Sequence, residues 1–104
     1  MDGPRVDILV DLIAKWHQDR NLIDGSTDKD QYLKLIQEAG ELSDNICKGR
    51  DIRDDIGDMM VVLINIMERN KLSMSECLQV VVCQGPNSAV HRRLCVFNTC
   101  LTDQ

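Results

Sequence analysis

Two acidic pairs of equal spacing, Glu38/Glu41 and Asp55/Asp58, lie within residues 34–65, separated by a turn signal at Lys48-Gly49. Residues three apart on an α-helix are neighbours on one face, so each pair can aim two carboxylates at one point. Two such helices packed antiparallel would oppose the pairs. Four converging carboxylates repel one another unless something positive sits among them, and hard oxygen donors suit Mg²⁺ or Mn²⁺. A helical hairpin with a carboxylate-lined cation site is therefore the first expectation, set against the simpler alternative of a solvated acidic helix face.

The residues around the pairs sharpen it. Tyr32, Leu35, Ile36, Ala39, Leu42 and Ile46 recur at helical spacing as an apolar stripe. Glu38 flanks that stripe and Glu41 lies further round, so both are expected to border the core rather than occupy its centre. Residues 59–67 are apolar almost all round, the pattern of a helix buried on more than one side. Asp58, Val62 and Asn65 share one flank, which sets Asp58 against surface that a second subunit would cover. An acid beside buried apolar surface is costly unless paired or coordinated. Gly57 costs about 1 kcal/mol against Ala inside a helix, and so suggests close approach of another helix or a ligand.

Elsewhere the punctuation predicts helices near 4–20, 27–47, 51–70 and 73–84. Pro4 suits a helix start, and Val6, Leu9, Val10, Ile13, Ala14 and Trp16/His17 follow at helical spacing before Asn21 and Asp24-Gly25-Ser26 break the run. Thr27 with Asp30, and Ser73 with Glu76, have the form of capping boxes. Lys48-Gly49 supplies a cation and a glycine at a helix end. Trp16, the single tryptophan, reads either as a core or interface anchor or as a base-stacking surface. From Cys77 to Thr102 there is no acidic residue, and Gly85-Pro86-Asn87-Ser88 stops the last helix. This divides the chain into an all-α domain over 1–84 and a divergent tail over 85–104, whose His91-Arg92-Arg93 is either a phosphate contact or a flexible basic segment.

Bulk properties narrow the function. With 104 residues the chain is one domain, with a modest core that association would help. A net charge of −5 argues against nucleic acid or an anionic membrane as the main partner, since both reward excess Lys and Arg. No basic segment followed by an apolar one opens the chain, and no apolar run is long enough to span a bilayer, so a cytoplasmic location is expected. Five cysteines without a C-x-x-C favour free thiols over disulfides or zinc.

The order Glu38-Ala39-Gly40-Glu41, Cys47-Lys48-Gly49, Asp54-Asp55-Ile56-Gly57-Asp58, running into an apolar helix, resembles the MazG-like, all-α nucleoside triphosphate pyrophosphohydrolases, in particular small phage-type members. The likeness extends over about residues 12–79. It implies a four-helix bundle assembled as a dimer or dimer of dimers, and hydrolysis of a (d)NTP between the α- and β-phosphates to (d)NMP and pyrophosphate, with guanine deoxynucleotides a first guess. By the same resemblance Glu38, Glu41, Asp55 and Asp58 hold Mg²⁺ or Mn²⁺, with Glu38 or Glu41 also acting on the attacking water. Lys34, Lys48, Trp16 and Asn65 are the substrate-binding candidates. This chain departs from the family in having Asp55 where Glu is usual, which leaves Asp54 as an alternative ligand, and Gln37 where many members carry a further Glu. A segment that helps hold phosphates after the fourth helix has no counterpart. Two other functions stand beside this one: a non-catalytic helical interaction module, and a phosphoribosyl-ATP pyrophosphohydrolase-like enzyme.

Overall fold

Four α-helices and no strand make up residues 3–83, the part of the chain that the computed structural model describes. They are α1 Val6–Asp19, α2 Asp28–Cys47, α3 Arg53–Arg69 and α4 Met74–Val82. The expected tail over 85–104 lies outside the described residues. The chain divides into two units, Met1–Lys71 and Leu72–Gln104. In the first, α3 packs against both α2 and α1.

Local chemistry explains where these helices begin and end. The Thr27 hydroxyl accepts from the Asp30 N–H at 3.0 Å and opens α2. At its other end Gly49 takes φ +67°, with Gly49 N–H donating to the Ile46 carbonyl and Arg50 N–H to that of Asn45, a Schellman ending that only a residue tolerant of left-handed backbone closes easily. The end of α1 repeats the device with Asn21 at φ 55°: its N–H reaches the Gln18 carbonyl, while Leu22 N–H reaches that of His17. α1 and α3 start later than the predicted residues 4 and 51. Arg5 is extended and caps α1, and Asp51 lies before the first turn of α3, its carboxylate accepting from the Arg53 N–H at 3.0 Å. Arg69 Nε donates to Asp28 Oδ1 at 2.8 Å and its guanidinium also reaches the Ile23 carbonyl, so the end of α3 is tied to the start of α2.

In the second unit, α4 carries a full capping box. Ser73 Oγ accepts from Glu76 N–H at 3.0 Å, and Glu76 Oε1 accepts from Ser73 N–H at 2.8 Å.

The apolar core is thin. Among the described residues, only Ala14, Val62 and Ile64 are buried hydrophobics. Of residues 59–67, Val62, Ile64 and Asn65 are buried within the chain, while Met60 and Leu63 stand exposed and continue a stripe begun by Ile56, surface of the kind a second subunit is expected to cover. Gly57 is also bare: a Cβ there would meet nothing within 4 Å. The close approach inferred for Gly57 is thus not made by the described residues of its own chain.

Candidate functional site

A groove of about 450 Å³ runs between α1 and α3, lined by Leu12, Ile13 and Trp16 on one side and Asp58 and Val61 on the other. Its size falls in the range of small-ligand pockets. α1 presents Leu12 and Trp16 four residues apart on one face, and α3 presents Asp58 and Val61 three apart, so the groove follows from two helical periodicities meeting. Trp16 is 43% exposed. The Arg20 guanidinium carbon lies 4.3 Å from its ring centroid, a cation–π contact. Among the described residues that line the groove, Asp58 is the one acidic group in otherwise apolar walls.

That carboxylate belongs to a cluster. Burial raises the proton affinity of Asp58 above the ordinary carboxylate value, and the negative charges of Asp54, Glu38 and Asp55 raise it further, against a smaller opposing effect of Lys34. Two of those acids are buried. Glu38, 7% exposed, is the one buried residue of α2, and its Oε1 has no hydrogen-bond donor. Its Oε2 lies 3.4 Å from Lys34 Nζ, whose side chain is half exposed, so that ion pair is screened and weak. A buried carboxylate oxygen without a donor costs about 1–3 kcal/mol or more for a charged group, which chain packing alone gives no reason to keep. Asp55, 6% exposed, accepts from Asn45 Nδ2 at 3.1 and 3.0 Å through its two oxygens.

The predicted residues are thus brought together in part. Glu38, Asp55 and Asp58 share one electrostatic environment with Asp54, and Trp16 lines the same groove as Asp58. Contrary to the expectation that Glu38 borders the core, it lies inside it, because α3 covers the face of α2 from which Glu38 projects. Glu41 points to solvent. Lys34 is engaged with Glu38, and Lys48 Nζ pairs with Asp44 at 2.9 Å at the end of α2.

Asn65 does not fit a substrate contact in this arrangement. It is fully buried, and its Nδ2 donates to the Leu22 carbonyl at 3.1 Å and faces His17 Nδ1 at 3.2 Å. His17, 3% exposed, uses its other nitrogen on the Val61 carbonyl at 3.0 Å. Sequence reasoning assigned no role to His17 or Asn45. The signal for His17 was a polar residue three after Ala14 on the core-facing stripe of α1; Asn45 had no comparable mark.

Mg²⁺ or Mn²⁺ can be tested against these residues. The donors are all hard oxygens, and the donorless Glu38 Oε1 beside the charge-strained Asp58 is the feature a cation would satisfy. Among the described residues, however, no three Asp, Glu, His or Cys side chains are gathered so as to hold a metal ion. The fit therefore rests on Glu38 and Asp58, with Asp55 and Asp54 supplying field.

No helix among the described residues is long and apolar enough to cross a membrane. The chain matches no protein-family model and no solved structure. It is similar to an uncharacterized 18.2 kDa protein from the rep-hol intergenic region of Haemophilus phage HP1, with 38% identity over 66 residues. That match takes in 62% of this chain and 40% of the phage protein, so the chain spans well under half of its relative.

Proposed function

We propose that the protein is a metal-dependent nucleoside triphosphate pyrophosphohydrolase, hydrolysing a (d)NTP to (d)NMP and pyrophosphate in control of the nucleotide pool. The observation that carries this reading is the donorless, buried Glu38 carboxylate next to Asp58, at a groove whose other wall is Trp16. Asp58 and Glu38 would hold Mg²⁺ or Mn²⁺, with Glu41 and Asp55 or Asp54 completing the set once a substrate polyphosphate is present. A bound divalent ion supplies neutralisation of phosphate charge and a more acidic water. The indole of Trp16 offers a flat apolar surface to a base, with Arg20 stacked on it. Glu38 Oε1, free of any donor, is the oxygen best able to accept a proton from water. Lys34, held at Glu38, brings a cation to the cluster.

A second copy of the chain completes this arrangement. The exposed stripe Ile56, Met60 and Leu63, with Gly57 beside it, lies on the helix that carries Asp58, and a dimer or dimer of dimers would cover it.

The scattered state of the carboxylates favours one rival, a non-catalytic helical interaction module whose acids are soluble surface. Incubation with each NTP and dNTP plus Mn²⁺ separates the two. Pyrophosphate should be released by the wild type, and the release should fall by two orders of magnitude or more in Glu38→Gln and Asp58→Asn, with circular dichroism unchanged. No release from any nucleotide, together with no thermal stabilisation by millimolar Mn²⁺, would leave the interaction module as the better account.

A further inference from the structure

We infer that His17 and Asn65 form a proton-sensitive brace that positions the Trp16 wall of the groove. The hydrogen bonds dictate a single protonation state. The Leu22 carbonyl can only accept, so the Asn65 atom at 3.1 Å from it is the amide nitrogen. That same NH₂ faces His17 Nδ1 at 3.2 Å, which makes Nδ1 an acceptor. Independently, the Val61 carbonyl at 3.0 Å requires a proton on Nε2. His17 is thus a neutral imidazole carrying its proton on Nε2, locked by two backbone carbonyls through one side-chain amide.

A second proton has no place to go. On Nδ1 it would oppose the Asn65 NH₂, and turning the amide over would set Oδ1 against the Leu22 carbonyl oxygen. No rotamer of Asn65 satisfies protonated His17 and Leu22 together. Both residues lie in the interface of α1 with α3, and Leu22 is brought there by the Schellman turn that ends α1.

The connection to the groove is direct. The Trp16 ring meets the His17 ring edge-on, with centroids 5.2 Å apart and planes at 78°. Loosening His17 from Val61 and Asn65 therefore moves the indole. The charged groups around the brace have other engagements or none with the imidazole: Asp58 of α3 lines the groove, Glu68 of α3 accepts from Gln18 Nε2, Arg69 of α3 holds Asp28, Asp24 of the turn is exposed, Lys15 of α1 pairs with Asp19, and Arg20 just after α1 covers Trp16. The brace acts on the wall that the nucleotide reading assigns to substrate, and its consequence for binding rests on that reading. Ligand affinity should fall as His17 gains its second proton.

Trp16 is the sole tryptophan, so its emission reports the wall in the ligand-free full chain. Acidification should shift that emission while far-UV circular dichroism holds, because a second proton on His17 opens the brace. His17→Gln should abolish the shift. A flat wild-type titration, or the same shift in His17→Gln, would overturn the brace and in the second case assign the change to Asp58. Should His17→Gln not fold, long-range ¹H–¹⁵N spectra of the otherwise wild-type chain carrying His91→Gln decide: a proton on Nε2 at about pH 8 supports the brace, and one on Nδ1 refutes it. An emission shift in a protein that releases no pyrophosphate would leave the brace standing and the enzymatic reading fallen.

Discussion

At the scale of single residues, Asp58 and Asp28 respond to pH in opposite directions. Burial, then Asp54, Glu38 and Asp55, raise the folded pKa of Asp58 above the ordinary value of 3.8. In the window between 3.8 and that raised value the folded state binds more protons than the unfolded one, so this group's contribution to stability falls as pH rises through it. Asp58→Asn should therefore melt higher than wild type at neutral pH, by a few degrees, and the gap should close as pH falls through the window. Thermal melts of both proteins across that range would check it, and a lower melting point for Asp58→Asn at neutral pH would contradict the repulsion. For Asp28, hydrogen bonds from Arg69 and then Asn70 lower the folded pKa below 3.8. Its contribution is present above 3.8 and is lost as pH falls through the lower folded value. Asp28→Asn should thus cost stability at neutral pH and become indistinguishable from wild type in acid below both values.

Among the elements, helix endings carry much of the connectivity. Gly49 sits at φ +67° with open space around its Cα, so strain alone opposes a side chain there. Gly49→Ala should cost about 1 kcal/mol in urea unfolding at an unchanged m-value. Gly25 differs in kind, since a Cβ there would run into the Asn21 carbonyl oxygen in the turn after α1. Asn21 and Leu22 belong to the turn that delivers the Leu22 carbonyl to Asn65, so Gly25→Ala should disturb the α1–α3 interface as well as the turn, at about 1–3 kcal/mol. Equal, small costs for the two glycine substitutions would argue against that coupling.

Across the whole molecule, three buried hydrophobics in 3–83 are few for a chain of 11.8 kDa, whereas Leu12, Tyr32, Leu33, Ile36, Met60 and Leu63 are all exposed. Association that covers part of this apolar exposure is what the dimer or dimer of dimers proposed above would supply. Sedimentation equilibrium should therefore give a mass at two or four times 11.8 kDa, and Met60→Glu should shift it toward the monomer. A monodisperse 11.8 kDa wild type would refute association through this face.

Helix number and most helix ends were legible without coordinates, because their causes are local: Thr27 and Ser73 hydroxyls reach backbone N–H groups three residues on, Gly49 tolerates a left-handed turn, and apolar residues recur every three or four positions. The acidic pairs were legible as pairs for the same reason. Which member is buried was not, because Glu38 and Glu41 project only about 60° apart on the helix, and that difference acquires meaning only when α3 settles on one side. Packing left Glu38 without a donor for one oxygen and turned Glu41 to water. Asn65 makes the same point over a longer distance. From its neighbours in the chain it belonged to the flank of Asp58, and only the docking of α1 on α3 brought it His17, from 48 positions away, and turned a candidate substrate contact into a buried brace.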